Sequence, residues 1–390
     1  MATEEIAAPG RARAAVTAAF TAHGLVAAAW VARIPQIKEH LGLGEGAMGV
    51  ALLGAPVGVV AAVQLAGRAV ARWGSRATTV AAGLAAALSL VPLGLAWNLP
   101  ALVAALLLMG GSLGLMDVAM NAQGVAVERG YGRPLMSGLH GAYSVGTLLS
   151  ALAGAAAAHA GVPVPLHLSA AALLLCVLVL AGFRGLLDRS ADAMPGTDAG
   201  EARPARSSSR WPLTMLGVIG LCSFVGEGAM ADWSAVYLRE DLGTGPGAAG
   251  LGYAGCAVAM TAGRLGGDRV VARFGPVQVL RAGSLAAAAG LGLGLAAGHP
   301  AAAVAGFTLF GLGAALVAPV TFSAAGNLPG VPAAAGISRV TAIGYAGLLG
   351  GPPVIGFVAQ GVGLGWALAV PVALVGLIVL LAPAAATAER

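Results

Sequence analysis

The sequence predicts an all-α membrane protein with twelve transmembrane helices in two pseudo-symmetric six-helix halves. Three observations carry this. First, 58% of the 390 residues are hydrophobic and only 9% are charged, against about 25% charged in soluble domains; the mean hydropathy is +0.87. Second, the apolar residues form continuous runs close to the ~20 residues that a spanning helix needs, not the alternation of barrel strands. Third, the chain repeats itself at about half its length. This composition excludes a soluble enzyme, a nucleic-acid-binding domain and a disordered chain. The net charge of +5 comes from arginines beside apolar runs and reads as membrane topology.

Breaking the runs at charges, prolines and glycine clusters places spans 1 to 12 at 14–34, 47–66, 77–97, 100–126, 137–159, 165–184, 212–236, 246–266, 277–298, 301–325, 334–360 and 364–384. The first run is long enough to span. It leads into charged residues rather than a small-residue cleavage site, so it reads as a span and not a signal peptide. The longest polar stretch, 186–210, contains Asp, Glu, Arg, Ser, Pro and Gly and reads as a flexible linker. The expected organisation is a first half at 1–185, a cytoplasmic linker at 186–210 and a second half at 211–390.

An N-terminus in the cytoplasm puts Arg11, Arg13, Arg68, Arg72, Arg76, Arg184, Arg264, Arg269 and Arg273 in cytoplasmic segments. It leaves Arg33, Lys38 and Arg239 outside. The positive-inside bias then predicts both termini inside and an even number of spans.

The repeat is visible in charged and aromatic positions. Leu41–Gly49 (LGLGEGAMG) recurs as Leu242–Gly250 (LGTGPGAAG), and Ala71–Gly74 (ARWG) recurs as Ala272–Gly275 (ARFG), both at an offset of 201 residues. An offset near half the length implies two six-span halves in the same orientation. Duplicated bundles of this kind characterise transporters whose halves rock about a midplane site.

Two six-span halves, a polar linker and a basic loop after span 2 resemble the major facilitator superfamily. That family's loop between spans 2 and 3 follows G-x-x-x-D-R-x-G-x-R. Here Gly67–Arg76 reads GRAVARWGSR, with Gly67, Arg72, Gly74 and Arg76 matching and Ala71 in place of the acid. The second half offers GRLGGDRVVARFG at Gly263–Gly275, with Asp268, Arg269, Arg273 and Gly275. The resemblance implies that these loops act as cytoplasmic gating latches, and Ala71 puts the first latch in question. Span 4 with its exit (Met116–Gly146) and span 11 (Gly344–Gln360) are similar to the fucose permease-like branch.

Ionisable groups at bilayer depth are costly and mark function. In span 1, His23, Ala27 and Trp30 share a face; Trp30 either stacks on a substrate or anchors the helix at the interface. In span 4, Asp117 stands far from other charges, with Asn121 one turn on and Gly110 and Gly114 on the same stripe. Desolvation disfavours the charged form of a carboxyl group, so an acid here suits proton coupling; the alternative is a structural hydrogen bond to a neighbouring helix. The fucose permease resemblance implies an acid in span 4 as well.

In span 5, Ser137, His140, Ser144 and Thr147 form a polar stripe. His140 is a candidate proton relay and Ser144 a substrate contact, with Tyr143 beside the stripe. In span 7, Ser223, Glu227 and Ser234 lie close to one face, and Glu227 is a second candidate for proton or substrate. Asp232 beside Trp233 reads as an interfacial cap. Asn327 ends span 10. Span 11 carries Ser338, Thr341 and Tyr345, with Tyr345 in a place equivalent to Tyr143; both tyrosines suit sugar rings or helix packing. Gly350–Pro353 (GGPP) is expected to break span 11.

Nothing encodes covalent chemistry: there is no phosphate-cradling loop with Lys and no metal-ligand cluster. Cys176, Cys222 and Cys256 all sit in apolar runs. No enzyme activity, cofactor or metal is expected. The expected function is secondary active transport of a small polar, sugar-like solute coupled to protons by alternating access. The expected partners are that solute, protons and the lipid bilayer, and no nucleic acid. The expected state is a monomer in the cytoplasmic (inner) membrane. The rivals are a proton-coupled exporter of drugs or metabolites, and a non-transporting membrane sensor. Span 5 has the glycines but lacks the Gly-Pro pair typical of exporters in the superfamily.

Overall fold

A computed structural model describes residues 9–192 and 210–389; residues 193–209, most of the expected linker, lie outside the described residues. The secondary structure described is helical throughout. Eleven described helices are long and apolar enough to cross a membrane: Gly10–His40, Val50–Trp73, Ser75–Gly94, Leu99–Tyr131, Met136–His159, Val164–Gly185, Trp211–Asp241, Pro276–Ala296, Pro300–Gly326, Ala333–Val362 and Leu364–Thr387. They coincide with spans 1–7 and 9–12 of the sequence reading. Span 8 is the helix Pro246–Phe274, 29 residues long. At about 1.5 Å per residue it reaches some 44 Å, enough to cross, but its glycines and charged end dilute its hydropathy.

Local chemistry sets the helix ends. Asn98 caps span 4, its side chain accepting from the Ala101 backbone N–H at 2.9 Å, and a left-handed Gly132 (φ 61°) ends it. Gly74 (φ 86°) and Gly275 (φ 77°) make the turns after spans 2 and 8, where an L side chain would be strained. Span 11 continues as one helix through Pro352 and Pro353. The expected break does not occur; the prolines remove two backbone donors without ending the helix.

By backbone proximity the chain divides into two compact units. The first takes the described residues of Met1–Gly132, Ala142–Thr197 and Pro332–Ser338; the second takes those of Arg133–Gly141, Asp198–Val331 and Arg339–Arg390. Span 5 therefore begins in the second unit, and span 11 begins in the first.

Each unit is held by close helix packing. In the first, a Cβ on Gly110 of span 4 would collide with the Ala55 carbonyl of span 2. In the second, a Cβ on Gly311 of span 10 would collide with the Cys256 carbonyl of span 8. Both residues of one contact lie 201 positions from those of the other. Without a hydrophobic drive between helices in lipid, such small-residue contacts supply the packing.

Two of the counted arginines are buried. Arg33, counted with the outer segments, is 2% exposed and donates to the Val162 carbonyl at 2.5 Å. Arg264, counted with the cytoplasmic arginines, is 7% exposed within the second unit. A charge count cannot tell an arginine that reaches water from one that a carbonyl holds inside the protein.

Candidate functional site

In the first unit the site is built on span 4. Its segment from Met116 to Val125 is buried on every side, so polar residues there sit in protein, not lipid. Asn121 Nδ2 donates to the Asp117 carbonyl oxygen at 2.8 Å and to Asp117 Oδ1 at 3.1 Å. Asp117 is 7% exposed and Asn121 fully buried. Asp117 Oδ2 and Asn121 Oδ1 have no hydrogen-bond partner among the described residues. Asp117 is thus a buried carboxyl group whose described side-chain partner is a neutral amide.

One turn before Asp117, the Leu113 carbonyl accepts from His23 Nε2 of span 1 at 3.2 Å. The His23 ring meets Tyr143 of span 5 with centroids 5.5 Å apart. The structure therefore gathers spans 1, 4 and 5 around His23, a residue noted on the face of span 1 but not nominated for a role. Its contact with span 4 is long-range and has no signature in local spacing. Trp30, 6% exposed, is buried rather than lying at an open surface.

In the second unit the charged centre is on span 7. Glu227 Oε1 accepts from Ser223 Oγ at 3.0 Å, and Oε2 accepts from Arg264 at 3.3 Å. Arg264 Nε also donates to the Ala315 carbonyl at 3.3 Å. The side chains of Arg264 and Glu227 are 8% and 21% exposed. Ser234 Oγ donates to the Met230 carbonyl of its own helix at 2.5 Å. Sequence reading missed Arg264 because span 8 was ended at 266; the helix runs to Phe274, which places the arginine two to three turns inside it.

Phe224 of span 7 and Tyr345 of span 11 pair with ring centroids 5.5 Å apart. They match His23 and Tyr143 in distance and nearly in sequence offset. His140 belongs to the second unit, where its Nδ1 donates to the Met136 carbonyl at 2.9 Å and its ring stacks on Phe322 at 5.6 Å. Ser144 is 7% exposed, and its carbonyl accepts from Thr147. Asn327 Nδ2 reaches Ser323 Oγ at 3.4 Å. Among the described residues no three His, Cys, Asp or Glu gather to hold a metal ion.

The two basic loops differ. Asp268 Oδ2 accepts from the Gly138 backbone N–H of span 5 at 3.1 Å, while Arg269 is exposed and Arg273 lies over the Phe274 ring. The repeat pairs Asp268 with Gly67, where a Cβ would lie 3.5 Å from Ala335 Cα. The first loop instead takes acids from the residues after span 6. Asp192 Oδ2 accepts from the Ser75 N–H at 2.8 Å, and Asp188 pairs with Arg76. Arg189 donates to the Ala71 carbonyl at 2.7 Å, and Arg72 lies over the Trp73 ring. Buried Gln123 ties this together: its Nε2 donates to Ser75 Oγ at 2.6 Å and the Leu187 carbonyl at 2.9 Å, and its Oε1 accepts from Leu187 N–H at 2.8 Å. The first residues of the expected flexible linker are therefore pinned, because Gln123 satisfies their backbone and Leu186 is buried.

No family model matches the chain. Among curated proteins it is 40% identical over 343 residues to an uncharacterised MFS-type transporter of Yersinia pestis, covering 88% of this chain and 87% of that one. It is 34% identical over 366 residues to the membrane protein MosC of Rhizobium meliloti, covering 94% and 88%. Among solved structures it is similar to the E. coli fucose:proton symporter FucP, with a TM-score of 0.75, 18% identity and coverage of 95% and 97%. It is also similar to the human organic anion transporter MFSD10, with a TM-score of 0.76, 16% identity and coverage of 96% and 100%. With that identity over most of its length, and a fold resembling the fucose permease branch, the chain belongs to the major facilitator superfamily of transporters.

Proposed function

We propose that the chain is a secondary active transporter that moves a small polar, sugar-like solute coupled to protons by alternating access. Asp117 is the titrating group. The observation that carries this reading is its environment: a buried carboxyl group in a membrane helix, with a neutral amide at one oxygen and no described partner at the other. An ionised carboxylate left so in low dielectric is costly, and taking up a proton removes that cost. Proton loading and unloading is then the natural use of the site. FucP, similar in fold, is a fucose:proton symporter, which supports the solute class and the coupling.

Glu227 with Arg264, together with Asn121, Ser144, Tyr143, Tyr345, Asn327 and Trp30, are the proposed contacts for solute, with His140 as a secondary proton group. The basic loops 67–76 and 263–275 are the proposed gates. The proposed setting is the inner membrane, with both termini cytoplasmic and the chain acting as a monomer. The halves are proposed to divide at the 186–210 linker.

The test uses proteoliposomes and a panel of sugars and polyols. Asp117→Asn should abolish accumulation driven by a proton gradient while leaving solute exchange measurable. Wild-type accumulation in that variant would sink the reading. Accumulation of drugs against the same gradient, in the opposite direction, would favour the exporter.

A further inference from the structure

Span 1 has one open stripe. Its residues at 10, 13, 14, 17, 18 and 21 are exposed or half-exposed, while Ala12, Ala15, Val16, Ala19 and Phe20 on the other side are buried. The open stripe forms one wall of a groove of about 620 Å³ in the first unit, with Tyr131 at the end of span 4 and Leu178 of span 6 on the other walls. Arg13 lies over the Tyr131 ring at 5.9 Å, and among the described residues no carboxylate pairs with it. The rest of the lining is apolar or hydroxyl. The groove runs from Gly10 to Thr21, about 17 Å along the helix, close to one leaflet of a ~30 Å hydrocarbon core.

We propose that this groove holds an anionic phospholipid, with its phosphate at Arg13 and one acyl chain laid along span 1 past Ala18 toward Thr21. Three features select this occupant. The cation sits at one end only, at the helix terminus, where a headgroup would lie. The apolar wall extends inward by the depth of a leaflet. Basic pockets between membrane helices are suited to anionic headgroups. The equivalent positions in the second unit, 201 residues on, are Thr214 and Pro332, so the cation and the aromatic both belong to the first unit alone. The groove lies apart from Asp117 and owes nothing to the reading of that residue.

Native mass spectrometry of the full chain in detergent tests this, with palmitoyl-oleoyl phosphatidylglycerol and the matching phosphatidylcholine at equal concentration. The wild type should retain phosphatidylglycerol in preference. Arg13→Gln should cut that retention about fivefold, the effect of one arginine near an anionic surface. Arg281→Gln, an exposed arginine of the second unit, should leave it unchanged. Thr17→Trp, which fills the groove, should lower retention of both lipids at an unchanged unfolding midpoint. Equal retention of the two lipids, or undiminished retention in Arg13→Gln, overturns the proposal. So does displacement of the lipid by millimolar inorganic phosphate alone, which would mark a free-anion site.

Discussion

The two units are built to one plan and charged to two. Gly110 against Ala55 repeats as Gly311 against Cys256. The ring pair His23–Tyr143 repeats as Phe224–Tyr345 at the same 5.5 Å. The ionisable groups inside the units do not repeat, although the arginines of the loops do (Arg72 and Arg273). The positions matching Glu227 and Arg264 are Val26 and Val63, and the positions matching Asp117 and Asn121 are Ala318 and Phe322. Duplication kept what packs helices and let the ionisable groups diverge. Each unit has the same helix contacts with different ionisable residues, and a buried ion pair is weak evidence for stability.

The largest effect should come from splitting the pair in the second unit. Arg264→Ala leaves Glu227, which is half-buried, without its cation and should destabilise by about 3 kcal/mol, the low end for breaking a buried pair, read as a lower unfolding midpoint in detergent. Glu227→Val with Arg264→Val installs the first unit's own residues and should recover most of that loss while transport stays abolished. A double variant as unstable as Arg264→Ala would show that the pair is structural and that the contrast between the units is empty.

A smaller effect tests the shared plan. Gly110→Leu and Gly311→Leu should each cost at least the ~1–3 kcal/mol of an overpacked contact, and by similar amounts, because each drives a side chain into a facing carbonyl. Tolerance in one unit and collapse in the other would break the equivalence.

The smallest effect lies at the loops. Asp192→Ala removes the side-chain acceptor at the start of span 3 and should cost about 1 kcal/mol. It should also speed protease cleavage after Leu187 in detergent. Glu at the same position should restore protection, whereas protection unchanged in Asp192→Ala would show that Gln123 alone holds the segment.

The fold was legible because lipid removes alternatives. A backbone in hydrocarbon must satisfy its own hydrogen bonds, so twelve apolar runs of helical length had one solution, and a 201-residue echo in glycine and arginine positions told of the duplication. Asp117 was legible for the same reason: an acid ten residues deep in an apolar run is conspicuous whatever surrounds it. Arg264 was not, because an arginine near a span's end reads the same whether it reaches water or turns inward to Glu227. The acids of the first loop were hidden too. A motif reading looked for one at Ala71, and the chain supplies Asp188 and Asp192 from more than a hundred residues away.

What the order of residues determined by itself was therefore everything governed by transfer from water to lipid: helix number, length, repeat and the cost of a buried acid. What only the tertiary structure decided was pairing: which carboxyl found a guanidinium, which histidine joined which span, and which loop borrowed its acids. Burial depends on a residue's own chemistry and can be summed along the chain, whereas a pair depends on two distant residues meeting at hydrogen-bond distance, and that distance exists only once the helices have packed.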